Sequence, residues 1–172
     1  MSTIAETVPA EFAGTSVTGA GRAFAVNRAL VVDEISDVFQ GVDPAEVAAL
    51  VTELRLADRI FVTGAGRSGL VLKMAAMRLM HLGLTVHVVG ETTAPAIRAG
   101  DLLLAASGSG TTAGVVKAAE TAVAQGARVA AYTTSKGSRL AAAAAAVVLI
   151  PAAQKTDHAS AVTRQYSGSL FE

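Results

Sequence analysis

The sequence predicts an α/β domain: a three-layer sandwich in which a five-stranded parallel sheet lies between helices. Five short apolar runs, each closed by Gly, Ser, Thr or Pro, alternate with longer segments whose apolar residues recur at helical spacing. The runs are apolar at nearly every position, which is typical of parallel strands covered on both faces. Alternation of strand and helix then predicts a layered domain with right-handed crossovers.

The individual elements follow from this pattern. Strands are expected at residues 60–63, 86–89, 102–106, 129–132 and 147–150. Helices are expected at residues 23–39, 44–56, 67–82, 111–125 and 138–145. Asp43 and Pro44 mark the start of the second helix, because Asp is a favoured N-cap and Pro fits the first helical position.

The expected organisation is a loose N-terminal segment, residues 1–22, followed by a single domain over residues 23–172. The pentapeptide Thr-Gly-Ala-Gly-Arg occurs at residues 18–22 and again at 63–67. Only the second copy follows a strand, so the first is interpreted as a coincidence in a loop. Residues 91–100 are too few and too rich in Pro and Thr for a full helix.

Composition excludes several classes of function. Lys plus Arg and Asp plus Glu both number 14, so no basic excess points to a nucleic-acid partner. The absence of Cys fits a reducing compartment and excludes a thiolate nucleophile. Neither an export signal nor an apolar run of membrane-spanning length is found, so a soluble cytoplasmic protein is expected. An apolar fraction of 52% with 16% charged residues predicts surface buried between subunits.

Two loops rich in Gly and hydroxyl residues follow predicted strands. Residues 64–69 read Gly-Ala-Gly-Arg-Ser-Gly, and residues 107–112 read Ser-Gly-Ser-Gly-Thr-Thr. Both loops leave carboxyl ends of strands, where open parallel sheets bind ligands. Small residues, hydroxyls and free N–H groups at a helix start together suit a phosphate group. The sequence therefore predicts phosphate-sugar binding at this edge.

Two other interpretations stay open at this point. Residues 64–69 match G-x-G-x-x-G, and Glu91 stands near the place where a dinucleotide fold carries its ribose-binding carboxylate. In that interpretation the protein would be a dinucleotide-dependent oxidoreductase. A dinucleotide fold does not require the second loop, however, and this chain has no second half-domain that could hold a substrate. In the other interpretation, both loops are turns with helix caps, since Ser and Thr are common capping residues.

Several longer motifs carry a family resemblance. They are GAGRSGLV at 64–71, MRLMHLG at 77–83, VGETT at 89–93 with Pro95, LAASGSGTT at 104–112, QKTDH at 154–158 and QYSGSLFE at 165–172. Over residues 28–172 the chain resembles the 6-phospho-3-hexuloisomerases, which belong to the sugar-isomerase (SIS) domain proteins. Relatives in that family continue past the Leu-Phe-Glu motif, so further residues are expected after Glu172.

The resemblance implies a fold, an activity and an assembly. The fold is the SIS-type, flavodoxin-like version of the sandwich predicted above. The activity is the interconversion of D-arabino-3-hexulose 6-phosphate and D-fructose 6-phosphate through an enediol, without metal or other cofactor. This is the step that follows formaldehyde fixation in the ribulose monophosphate pathway. The assembly is a homotetramer, with 3-hexulose-6-phosphate synthase as a cooperating enzyme.

The resemblance also implies roles for particular residues. Glu172 is the candidate general base, and His81 is the candidate for polarising the carbonyl or moving hydroxyl protons. Substrate and phosphate contacts are expected from Gly66, Arg67, Ser68, Glu91, Ser107, Ser109, Thr111, Thr112 and His158. No metal site is expected, because the three histidines are scattered along the chain.

Each of these assignments has a structural alternative. Glu172 would otherwise be an ordinary exposed carboxylate, and Glu91 the cap of a short turn. On a helix over residues 67–82, His81 falls in line with the apolar stripe Leu70, Met74 and Met77, apart from the stripe that faces the sheet. A neighbouring subunit covering that stripe would receive His81 in its active site; otherwise His81 is a hydrogen-bonded interface residue.

A non-catalytic sugar-phosphate sensor also remains open as the function of the protein, because domains of this fold serve as ligand-binding modules.

Overall fold

The computed structural model describes residues 17–153, 163–166 and 168–172. The chain divides into two compact units, Met1–Ser36 and Asp37–Glu172. All five strands of the described residues lie in the second unit. The boundary predicted between residues 22 and 23 stays a prediction.

The elements are bounded as follows. The helices are α1 (Val17–Gly41), α2 (Pro44–Leu56), α3 (Arg67–His81), α4 (Ala113–Ala124) and α5 (Arg139–Ala143). The strands are β1 (Ile60–Gly64), β2 (Val86–Val88), β3 (Leu102–Ala106), β4 (Arg128–Thr133) and β5 (Ala146–Leu149). A short 3₁₀ helix spans Ser169–Phe171.

The five strands form one parallel sheet in the order β2-β1-β3-β4-β5. The predicted parallel sheet is therefore confirmed, and each strand begins and ends within one residue of its expected bounds. The chain leaves β1 towards β2 and then crosses back to β3 on the other side of β1. The strand order thus reverses between β1 and β3, which is where doubly wound sheets bind ligands.

Helices cover both faces of the sheet and complete the three-layer sandwich. Ile60 and Val62 of β1 pack on one face in a core cluster with Leu72 of α3. Phe61, which points the opposite way, packs in the other cluster with Val115 of α4. Successive strand residues alternate between faces, so both faces of β1 must be apolar, as the continuous apolar run predicted.

The second helix begins where the sequence indicated. Asp43 is its N-cap, and Oδ1 of Asp43 accepts a hydrogen bond of 2.8 Å from the backbone N–H of Ala45. Glu46 in the first turn reaches across to β5 and accepts a 2.8 Å bond from the N–H of Leu149. Lys136 Nζ lies 2.7 Å from the other carboxylate oxygen. The hydrogen bond from the Leu149 N–H has the larger effect in lowering the pKa of Glu46, and the bond from Lys136 lowers it further.

The first helix departs from the prediction. It begins at Val17 rather than at residue 23, so residues 18–22 are helical and not part of a loop. Apolar periodicity is weak there, but no Pro interrupts the segment, and each Gly costs a helix only about 1 kcal/mol. No helix in the described parts of the chain combines the length and apolar character that a membrane span requires.

Candidate active site

The loops after β1 and β3 meet at the carboxyl edge of the sheet because these strands are neighbours. Between them lies a cavity of about 300 Å³. Its lining includes Gly66 and Ser68 from the first loop, Ser107, Ser109 and Thr112 from the second, and Phe171. Five of the residues expected to contact substrate therefore surround one cavity.

The second loop presents a set of linked hydroxyls. Ser107 is buried, and its Oγ lies 2.9 Å from Oγ1 of Thr112. Thr112 is the N-cap of α4 but makes no side-chain capping bond, so its hydroxyl is used on the cavity side instead. Oγ of Ser109 accepts hydrogen bonds from the N–H and the Oγ1 hydroxyl of Thr111, at 3.3 and 3.0 Å.

Backbone anchoring holds this loop in place. The carbonyl oxygen of Gly108 accepts bonds from the Thr133 hydroxyl at 3.0 Å and from the Thr134 hydroxyl at 2.9 Å. Gly110 has a φ of +63°, and a side chain there would collide with Ser138. The loop is thus fixed before a ligand arrives, which suits a site that must orient a small substrate.

The first loop turns sharply because two backbones touch. A Cβ added to Gly69 would lie 2.6 Å from the carbonyl oxygen of Gly64, so only Gly fits at that contact. Gly66 has a φ of +59°, which a side chain disfavours. This turn brings Arg67 and Ser68 to the first turn of α3.

The carboxylate of Glu172 is held by both of these residues. Ser68 Oγ donates to Oε1 at 3.1 Å, and Nε of Arg67 lies 2.6 Å from Oε2. Only 8% of the Glu172 side chain is exposed. The ring of Tyr166 lies against the Arg67 guanidinium, with 5.5 Å between the guanidinium carbon and the ring centroid. The alternative interpretation, in which Glu172 is an ordinary exposed carboxylate, is therefore wrong.

A second cavity of about 210 Å³ adjoins the first. Ser68 and Phe171 line both cavities, whereas Glu172 and Tyr132 line only the second. Burial raises the pKa of Tyr132 above its usual value, so its phenol stays protonated at neutral pH. Glu172 accordingly faces an apolar space beside the hydroxyl-lined cavity.

Glu91 lies apart from these cavities. Its carboxylate forms an exposed ion pair of 2.8 Å with Lys73, whose hydrogen bond lowers the pKa of Glu91. The groove that Glu91 lines runs between residues 89–97 and α4. The ion pair also occupies the carboxylate that a dinucleotide site would need for the ribose.

Neither His81 nor His87, the two histidines in the described part of the chain, lines the cavities of this site. His81 ends α3 and is exposed, with Nδ1 lying 3.5 Å from Nη1 of Arg78. It lies thirteen helical steps from Ser68, a distance of about 20 Å along the helix. The ring of His87 packs on the ring of Phe61, with 5.1 Å between the two ring centroids. His158 lies outside the described residues.

Sequence reasoning missed several features of this site. It did not foresee that Arg67 and Ser68 both contact Glu172. Their expected contact with substrate stays a prediction. Sequence reasoning also assigned no role to Phe171, which lines both cavities, or to Tyr132, which lines the second. The motif at residues 165–172 was the available signal for Phe171, but no local pattern links residue 172 to residue 67. Across residues 17–153, 163–166 and 168–172, no three His, Asp or Glu side chains converge as a metal site would require.

A parallel sheet with hydroxyl-rich loops after its neighbouring central strands defines the class of SIS domains, and the SIS domain family model matches residues 53–171. Among relatives, the 3-hexulose-6-phosphate isomerase of Mycobacterium gastri is 66% identical over 146 residues, covering 85% of this chain and 73% of the relative. The chain therefore belongs to the SIS-domain family and, within it, to the 3-hexulose-6-phosphate isomerases.

Two further comparisons agree. The 3-hexulose-6-phosphate isomerase of Bacillus subtilis is 36% identical over 143 residues, which is 83% of this chain and 77% of that protein. A crystal structure from Methanococcus jannaschii, from which the same isomerase function was inferred, is 30% identical with a TM-score of 0.65. That match covers 76% of this chain and 75% of the other.

Proposed function

We propose that this chain is an isomerase that interconverts D-arabino-3-hexulose 6-phosphate and D-fructose 6-phosphate. The observation that carries this proposal is the nearly buried Glu172 carboxylate, fixed at both oxygens beside a cavity lined with hydroxyls. Sugar-phosphate isomerisation needs both features, a positioned base and an anchor for the distant phosphate. The identity to relatives that bear this name supports the choice of substrate.

The phosphate is bound by the loop at residues 107–112. Its hydroxyls, with the N–H groups at the start of α4, donate to an anion at the positive end of the helix dipole. Fixing the phosphate leaves the sugar carbons to extend past Ser68 and Phe171 towards Glu172, because these two residues border both cavities.

The reaction itself moves a carbonyl from C3 to C2. Glu172 removes the proton from C2 while the C3 carbonyl oxygen takes up a proton, which gives the 2,3-enediol. The protonated Glu172 then returns its proton to C3, and the C2 hydroxyl loses its proton as the new carbonyl forms. A carboxylate suits this work, since it binds the transferred proton only weakly.

His81 transfers the hydroxyl protons in the active site of a neighbouring subunit. It lies at the far end of α3 from its own cavity, on the same helix as the exposed side chains of Leu70, Met74 and Met77. Their exposed fractions are 62%, 70% and 57%, an apolar surface that a soluble monomer would rarely leave uncovered. We therefore assign this stripe to a subunit interface in a homotetramer.

The place of the reaction in metabolism follows from its substrate. A 3-hexulose 6-phosphate arises when formaldehyde is added to ribulose 5-phosphate, so a synthase for that addition is the expected cooperating enzyme. Its product, D-fructose 6-phosphate, enters ordinary sugar metabolism. A cytoplasmic location stays a prediction from the sequence.

The direct test follows conversion of D-arabino-3-hexulose 6-phosphate into D-fructose 6-phosphate by the purified protein, without added nucleotide or metal. Turnover that inorganic phosphate inhibits competitively is the expected result. Tight binding of the sugar phosphate without turnover would instead identify a sensor. Binding of NAD(P) with no effect of the sugar phosphate would favour an oxidoreductase.

A further inference from the structure

The two loops at the carboxyl edge carry different contacts. Polar side chains of residues 107–112 bond to one another around the first cavity. Arg67 and Ser68, at the end of the first loop, instead reach the carboxylate of Glu172. Both loops resemble phosphate-binding loops in sequence, yet one of them already holds an anion of the protein itself.

A hydroxyl carries a single proton, and this limits what Ser68 can bind. Its proton is donated to Oε1 of Glu172, so the same proton is not available to a phosphate oxygen. Ser109 differs, because its Oγ accepts both bonds from Thr111 and so keeps its own proton for a ligand. The hydroxyls therefore point to an anchor in the second loop alone.

Charge leads to the same division. Among the described residues that line the 300 Å³ cavity there is no Lys, Arg, Asp or Glu, so it offers only neutral donors. Arg67 does not line it, and its guanidinium is directed to Oε2 of Glu172. A phosphate placed at Arg67 would lie beside the carboxylate of Glu172, and two anions at one site repel each other.

Tyr166 extends the arrangement outward. The Arg67 guanidinium lies over the ring of Tyr166, with 5.5 Å between the guanidinium carbon and the ring centroid. Attraction between a guanidinium and the face of an aromatic ring restrains the position of the Arg side chain. The ring thus helps to keep Nε of Arg67 directed at Glu172.

We infer that the two loops divide the work: residues 107–112 bind the phosphate, while Arg67 and Ser68 are positioning residues that fix the base Glu172, with Tyr166 restraining Arg67. This inference rests on the proposed isomerase function. It removes Arg67 and Ser68 from the phosphate site, and it predicts opposite kinetic signatures for variants of the two loops.

The test compares Arg67→Met and Ser68→Ala with Ser109→Ala, measuring kcat, KM and the inhibition constant of inorganic phosphate. The first two should lower kcat about tenfold or more, with KM and phosphate inhibition within about twofold, because they misplace the base only. Ser109→Ala should raise KM and the phosphate inhibition constant about tenfold, the effect of losing a charge-assisted bond. Arg139→Met is the matched control, since it removes an Arg from an exposed ion pair with Glu120 outside the site.

Coupling between variants tests the contact itself. The double variant Arg67→Met/Glu172→Gln should be about as slow as Glu172→Gln alone, because Arg67 acts only through that carboxylate. Arg67→Lys should retain a kcat between those of the wild type and Arg67→Met, and Tyr166→Ala should lower kcat without changing KM. Thermal unfolding of each variant identifies one that fails to fold, in which case Arg67→Lys and Tyr166→Ala decide the result.

Calorimetric binding of inorganic phosphate separates this inference from the proposed function, since it requires no turnover. If the wild type fails to convert the hexulose phosphate, the proposed function is wrong. The difference in phosphate binding between the variants of the two loops would still show which loop binds the phosphate. Weakened phosphate binding in Arg67→Met, matching that in Ser109→Ala, would overturn the division. Unchanged binding in Arg67→Met with weakened binding in Ser109→Ala would support it.

Discussion

Glu172 is the base in the proposed reaction, and its setting is unusual for a carboxylate. It is nearly buried, and each oxygen has its own donor, from Ser68 and from Arg67. A buried charge persists only where such partners compensate for lost hydration. The donors also orient the carboxylate, which a base needs if it is to reach C2 and C3 from one side.

Replacing Glu172 by Gln should remove the basicity while keeping shape and reach. We expect kcat to fall by about 10²–10⁴-fold with little change in KM, the range typical for loss of a general base. Steady-state kinetics on D-arabino-3-hexulose 6-phosphate measures both values. Near-normal kcat would show that Glu172 is not the base.

Asp101 shows the same principle at the opposite edge of the sheet. It is fully buried and accepts bonds from Arg59, with Nε 2.9 Å from Oδ1 and Nη2 2.6 Å from Oδ2. Burial alone would raise the pKa of Asp101, but Arg59 and the backbone N–H of Arg98 outweigh it, so the pKa is lowered. This pair joins the start of β1 to the start of β3, far from the loops that carry the site.

The variant Asp101→Asn should therefore lower the Tm at pH 7, by about 5 °C or more, because it leaves Arg59 without its charged partner. Since the pKa of Asp101 is lower in the folded state, its stabilising effect is present above the unfolded pKa and lost as the pH falls through the folded one. The difference in Tm between wild type and variant should shrink in acid. A difference that is equal at pH 7 and pH 3 would contradict this account.

At the scale of elements, sequence patterns predicted more of the sheet than of the first helix. All five strands were found because a buried parallel strand is apolar at nearly every position, a signal that few other structures produce. The start of α1 was missed, since residues 17–22 combine small residues that neither form a clear apolar face nor break a helix. The bonds from Arg67 and Ser68 to Glu172 span more than 100 residues and leave no periodic trace; Ser68 and Glu172 are 104 positions apart.

The contact between α2 and β5 should matter for stability. Glu46→Gln removes the charge that draws Lys136 and weakens the bond from Leu149, so unfolding in urea should require less denaturant at pH 7. The lowered pKa of Glu46 again places this stabilisation above its unfolded pKa, so it fades as the pH drops below about 4. Enzyme activity at saturating substrate should remain close to normal, because Glu46 lies away from both cavities.

At the scale of the whole molecule, we propose that the exposed apolar stripe of α3 is a subunit interface. The stripe formed by Leu70, Met74 and Met77 is largely exposed, whereas Leu72 and Ala76 on the sheet-facing side of this helix are buried. Met74→Glu should split the assembly, since an unpaired charge buried in an interface is strongly disfavoured. Light scattering should then report a smaller mass than for the wild type. A wild-type mass equal to one chain would show instead that the stripe is not an interface.

The length of α3 has a genetic consequence. Its first turn contacts the proposed base, Glu172, and its last residue, His81, lies about 20 Å away at the other end. If each active site combines Glu172 of one chain with His81 of another, two inactive variants can complement each other. Chains carrying Glu172→Gln, co-expressed with chains carrying His81→Asn, should regain about one quarter of wild-type activity, because random pairing across a two-fold interface rebuilds one intact site in half of the pairs. Mixtures as inactive as either parent would place His81 within its own subunit's site. An active His81→Asn parent would place His81 outside the reaction.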